Sequence, residues 1–152
     1  MTMNKTVLVT ALLAMSASLS AAEQFPEWRS YPQDGLEEGL IAGVSCVESM
    51  GDMTLDMDIA AMEARASLAS SLETMVHKEV GTDRNSEKKT IITADRKDKV
   101  VTTTISANST SKQITNQLMK YTWIKESVSV EKGVDEYLCT RIVARVPKFV
   151  EE

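Results

Sequence analysis

Two cysteines, a single histidine and three closely spaced methionines are the side chains here with the most chemical capacity. Cys46 and Cys139 both stand inside apolar, strand-like stretches, and an even pair of cysteines in an oxidising compartment forms a disulfide. Closing so long a loop is worth ~4–5 kcal/mol in the chain-entropy model, an upper bound because native strain subtracts from it. Two buried free thiols are the alternative, since unpaired cysteine packs as a small hydrophobe. A redox-active pair is excluded, because the C-x-x-C spacing that lowers a thiol pKa is absent. His77 has no nucleophile beside it in sequence, and nucleophilic catalysis needs base and nucleophile within hydrogen-bond reach. Its place in the last turn of a helix, where an imidazolium favours the negative dipole end, gives it a structural role.

Met50, Met53 and Met57 are the one metal hypothesis the sequence offers. Thioether sulfurs select Cu(I), and three of them around a helix start could converge on one ion. The ordinary role of methionine is to fill irregular gaps in a core. Asp52, Asp56 and Asp58 cluster where a helix N-terminus favours carboxylates. They lack the longer alternating oxygen array, closed by a bidentate Glu, that calcium needs. One histidine and two disulfide-bonded cysteines cannot close a zinc site. No glycine-rich phosphate loop follows a strand, and no G-x-S-x-G elbow occurs. No residue is therefore assigned a catalytic role and no cofactor is implied, so binding or assembly is expected rather than an enzyme. Asn108-Ser109-Thr110 matches a glycosylation sequon, which matters only in a eukaryotic secretory route.

The amino-terminal residues say where this chemistry would take place. Lys5 precedes the apolar run Val7–Met15, which closes in the small residues Ser16 to Ala22, with Ser20 and Ala22 at the critical positions. A positive start, a short apolar run and a small-residue site make a secretory signal, cut before Glu23. The run falls short of the ~20 residues that span a bilayer, so an integral membrane span is not expected. The expected product is periplasmic or secreted. Seventeen basic residues against 22 acids give the chain a formal net charge of −5. Lys5 is the one charge within residues 1–22, so the remainder stands at −6. Such a domain gains nothing from counterion release, which argues against nucleic acid.

The elements that would position these residues follow from pattern. Residues 23–38 hold two prolines and no sustained period, and read as an extended lead-in with Phe25 and Trp28 as anchors. Residues 39–152 read as a single domain. Gly39–Glu48 is a short apolar run, a strand buried on both faces, in which Gly43 signals close backbone approach or tight helix packing. Residues 54–79 lack Gly and Pro and are rich in helix formers. Met57, Ala61, Ala64, Leu68, Leu72 and Met75 recur there at spacings of three and four, on one face. Asp52 or Thr54 can cap the start, and Gly81 follows the end. That face is thin in alanine, so the helix should lie close against a sheet.

Residues 81–99 are polar and read as a mobile loop, with Thr90–Thr93 as material for a short hairpin. Val100–Ile105 favours a strand by β-branching, and Ser111–Met119 has helical spacing. Tyr121–Val130 and Tyr137–Val146 alternate apolar and polar residues around Glu131-Lys132-Gly133, an antiparallel hairpin with Leu138, Thr140, Ile142, Ala144 and Val146 on one face. The fold class is α+β: a small antiparallel sheet of about three to four strands, one face covered by a long helix, with a second, shorter helix.

The order Pro26-x-Trp28, Pro32, Gly39-Leu-Ile-Ala-Gly-Val, Ala61-Met-Glu-Ala-Arg-Ala-Ser-Leu-Ala69 and a final strand hairpin resembles the Lpp-twenty lipoprotein family. That family includes small bacterial surface lipoproteins and accessory proteins of the flagellar basal body at the outer membrane. The similarity runs from about Phe25 to Val146, and Ala64-Arg65-x-x-Leu68-Ala69 is its most distinctive piece. The resemblance implies a helix packed on an antiparallel sheet and a role in envelope assembly, with envelope or basal-body proteins as partners and self-association allowed. No cysteine stands at the cleavage point, so the family's lipid anchor does not carry over. The expectation is an exported scaffold domain whose partners meet Trp28 and the sheet edges. A soluble periplasmic Cu(I)-binding protein using Met50, Met53 and Met57 is the alternative.

Overall fold

The computed structural model describes residues 24–81, 88–97, 99–106 and 111–151. The signal segment 1–22 and the sequon at 108–110 lie outside the described residues. The fold is α+β, as the patterns predict. A short 3-10 turn, Glu27–Arg29, leads into β1 (Leu40–Glu48) and a long helix, α1 (Met53–Gly81). β2 (Lys88–Ala94), β3 (Val100–Ser106) and α2 (Ser111–Leu118) follow, then β4 (Trp123–Lys132), β5 (Asp135–Arg145) and β6 (Lys148–Glu151).

The strands form two antiparallel three-stranded sheets, in the orders β1-β5-β4 and β3-β2-β6. This differs from the single sheet of three to four strands expected. Residues 88–94 are a full strand in place of a mobile loop, and with β3 they make the hairpin anticipated at Thr90–Thr93. The lysine pair at the head of β2 hides a half-buried strand, whose Thr90, Ile91 and Thr93 are all buried. β6 is only four residues long, too short to show a period, and Pro147 sets it apart from β5 because proline cannot continue a ladder. One core joins both sheets. Ala61, Ala64, Leu68, Leu72 and Val76 of α1 meet Ile41, Ile142 and Ala144 of the first sheet, with Ile91 of the second and Ile114 and Leu118 of α2.

α1 begins where Asp52 caps it: Asp52 Oδ1 accepts from the backbone N–H groups of Thr54 at 3.0 Å and Leu55 at 3.1 Å. The predicted stripe holds from Ala61 to Leu72, while Val76 takes the buried position in place of Met75. The helix lies so close to β1 that a Cβ built on Gly43 would stand 2.3 Å from both the Ala64 carbonyl oxygen and the Leu68 nitrogen. The glycine and the small residues of the helix face are thus one device, and the sequence shows both halves of it.

Candidate interaction face

β5 is buried from Leu138 through Ala144, on both faces. α1 covers one face. The other carries Cys139, Arg141 and Val143, and the lead-in lies across it. Sequence alternation assigns only the even-numbered residues to a core; the odd-numbered set is buried because residues 25–34 supply a second cover. Cys139 and Val143 are apolar at alternate positions, a signal available in the sequence.

Arg141 holds this cover in place. It is 3 % exposed. Its guanidinium donates from Nε and Nη2 to the Pro32 carbonyl at 2.9 and 2.6 Å, and from Nη2 to the Asp34 carbonyl at 2.5 Å. Nη1 donates to Glu126 Oε1 at 2.9 Å, an ion pair between neighbouring strands. A buried charge is tolerable only when paired and hydrogen-bonded, and the planar fork of arginine reaches both carbonyls and the carboxylate together. Gln33 adds a second tie. Its side-chain amide donates to the Ala42 carbonyl and accepts from the Ala42 N–H, both at 3.2 Å, occupying the outer edge of β1 as a strand would.

The aromatic residues of the lead-in are partly committed to the domain. The Phe25 ring meets Tyr137 edge-on at 5.2 Å between centroids, and the Arg29 guanidinium sits 3.8 Å over it. Trp28, the residue expected to meet a partner, is half-buried with Arg141 5.9 Å from its ring centre. The remainder of its surface is open, and Tyr31 beside it is 65 % exposed. Cys46 and Cys139 are directly opposite in the β1–β5 ladder and joined as a disulfide. The bond lies on this same covered face.

The other candidate residues have structural partners. Asp56, 2 % exposed, accepts from Ser49 Oγ at 2.7 Å and the Met50 N–H at 3.0 Å, tying the turn after β1 to the first turns of α1. Glu63 accepts from Ser45 Oγ at 2.6 Å, and His77 is exposed on α1. Met57 faces the sheet, its sulfur 3.5 Å from Ser127 Oγ and 3.9 Å from Thr140 Oγ1, whereas Met50 and Met53 are exposed. The helix start therefore directs the three sulfurs to different surroundings. Among the described residues no helix is long and apolar enough to cross a membrane. Comparison with family models, with curated proteins and with solved structures finds no match to this chain.

Proposed function

We propose that this chain is an exported, non-enzymatic interaction domain of the bacterial cell envelope, an accessory to an outer-membrane-associated assembly such as the flagellar basal body. The observation that carries the compartment is the Cys46–Cys139 disulfide, since such bonds persist in oxidising compartments and are rare in reducing ones. Beside it stand the apolar amino-terminal run and the resemblance of the chain's motif order to the Lpp-twenty family. The interaction reading rests on the lead-in. Aromatic side chains pinned to a rigid sheet by Arg141 and Gln33, yet still part-exposed, are preorganised contact surface, and preorganisation lowers the entropic cost of association. The buried polar groups Asp56 and Arg141 are both engaged in holding turns and cover to the domain.

Crosslinking in intact cells of the native host, followed by pull-down of the tagged protein and mass spectrometry, tests this. Outer-membrane assembly proteins should be recovered, and Trp28→Ala should reduce that recovery while leaving the far-UV spectrum folded. Recovery of cytosolic partners alone would overturn the proposal.

A further inference from the structure

The four outer strands of the two sheets are not equally guarded. β1 has the Gln33 amide seated on its edge at Ala42. β4 carries Lys125, Glu126, Glu131 and Lys132 and a register shift between Ile124 and Glu126. β6 is four residues long and starts at Lys148. These are the devices by which proteins blunt an edge: cover, charge, bulge and shortness. β3, Val100-Val-Thr-Thr-Thr-Ile-Ser106, has none of them. It has no charge and no proline, and six of its seven residues are β-branched. Among the described residues nothing is hydrogen-bonded to its outer side.

The hairpin fixes which groups that side presents. The Asp95 N–H donates to the Lys99 carbonyl at 3.1 Å, so residues 95 and 99 face each other. By antiparallel alternation along the β2–β3 register, the N–H and C=O groups of Val100, Thr102, Thr104 and Ser106 point outward. Val100, Thr102 and Thr104 are exposed, Val100 at 64 %.

We infer that the outer edge of β3 pairs with the β3 edge of a second copy of this chain, antiparallel about a two-fold axis at Thr102. In that register Thr102 meets its own mate and Val100 meets Thr104 of the second copy, in both directions. Val100, Thr102 and Thr104 thus each find an outward-pointing partner, making about six backbone hydrogen bonds. Thr–Thr and Val–Thr are favourable cross-strand pairs, and no like charges stand directly opposite along the strand. The two three-stranded sheets become one continuous sheet of six, and the interface is isologous, so it closes at a dimer. A contact five residues long, roughly 17 Å at ~3.4 Å per residue, is small for a stable complex and fits a dimer of about micromolar dissociation constant or weaker. This goes beyond envelope assembly, because it is a property of the purified protein alone.

Sedimentation equilibrium of the purified protein over about 1–500 μM tests it. The native chain should be a monomer–dimer mixture. Because the axis places residue 102 opposite itself, Thr102→Lys and Thr102→Glu should each weaken the dimer at least tenfold while remaining folded, as Thr102 is exposed. Mixing the two variants should restore association, now as a heterodimer. A native chain that stays monomeric to the top of the range, variants that dimerise as well as the native chain, or a mixture that fails to re-associate would each overturn the inference. None of these outcomes bears on the pull-down, so the two proposals fail separately.

Discussion

Gly43→Ala should be among the most damaging single-methyl changes in this domain. The new Cβ would lie 2.3 Å from the Ala64 carbonyl oxygen, 2.3 Å from the Leu68 nitrogen and 2.7 Å from the Leu68 Cα, all of them backbone atoms. No side chain can rotate away, so α1 must retreat by about 1 Å to reach ordinary contact. A gap of 0.5–1 Å forfeits roughly a quarter to a half of each dispersion contact it opens. Here the gap would open beneath Ala64, Leu68 and Leu72, all fully buried. The cost should reach about 3 kcal/mol, the upper end for overpacking a core, or about 10 °C in melting temperature for a domain of this size. Urea unfolding followed by far-UV circular dichroism, with the disulfide intact, measures it. Ser45→Ala, two residues along on the same face, is the control. It removes a partly exposed hydrogen bond to Glu63 and should cost under about 1 kcal/mol. Equal losses for the two variants would refute the close seating of α1 on β1.

Removing the disulfide with Cys46→Ala/Cys139→Ala should cost ~2–5 kcal/mol, read from the same urea curves, because the bond closes a loop of 93 residues; a loss below about 1 kcal/mol would show that it does not restrain the unfolded chain. Arg141→Lys keeps the charge but cannot span Pro32, Asp34 and Glu126 together, so a loss of about 2 kcal/mol is expected. Limited trypsinolysis should then cut faster after Arg29 than in the native protein, and unchanged cutting would mean that the lead-in is held by other contacts. Competition against a Cu(I) chelator should leave the metal with the chelator, since Met57 faces Ser127 and Thr140 while Met50 and Met53 are exposed. Retention of one equivalent, lost in Met57→Leu, would reverse that expectation.

What the sequence discloses here is what period and local chemistry can carry. Residues 54–79 announce a helix through spacing alone, and Gly43 beside an alanine-rich face announces how closely it packs. The β4–β5 hairpin is legible because alternation and a glycine turn agree. β2 is only half legible: Thr90–Thr93 reads as hairpin material, but Lys88 and Lys89 read as loop until tertiary packing buries Thr90 and Thr93. Arg141 is lost for a related reason. A cation on a strand reads as solvent-facing, and only the return of residues 25–34 over the sheet turns it into an internal anchor. The Cys46–Cys139 pairing needs no more than two cysteines and a compartment. The direct opposition of the two residues across a ladder requires the register.

The strand order β1-β5-β4 also constrains the manner in which the chain can acquire its shape as it emerges from amino to carboxyl end. β1 is made early, yet among the described residues its ladder partner is β5, and the carbonyls of Pro32 and Asp34 wait for Arg141, 109 and 107 residues further on. Nothing in the first sheet except the β4–β5 hairpin can form from neighbouring sequence. Long-range pairing of this kind is slow, because loop-closure entropy is lost before any contact rewards it. A chain of this topology therefore completes its first sheet only once its last strands are present. The β2–β3 hairpin, by contrast, joins neighbouring sequence, so it can close and present its outer edge before the first sheet is complete.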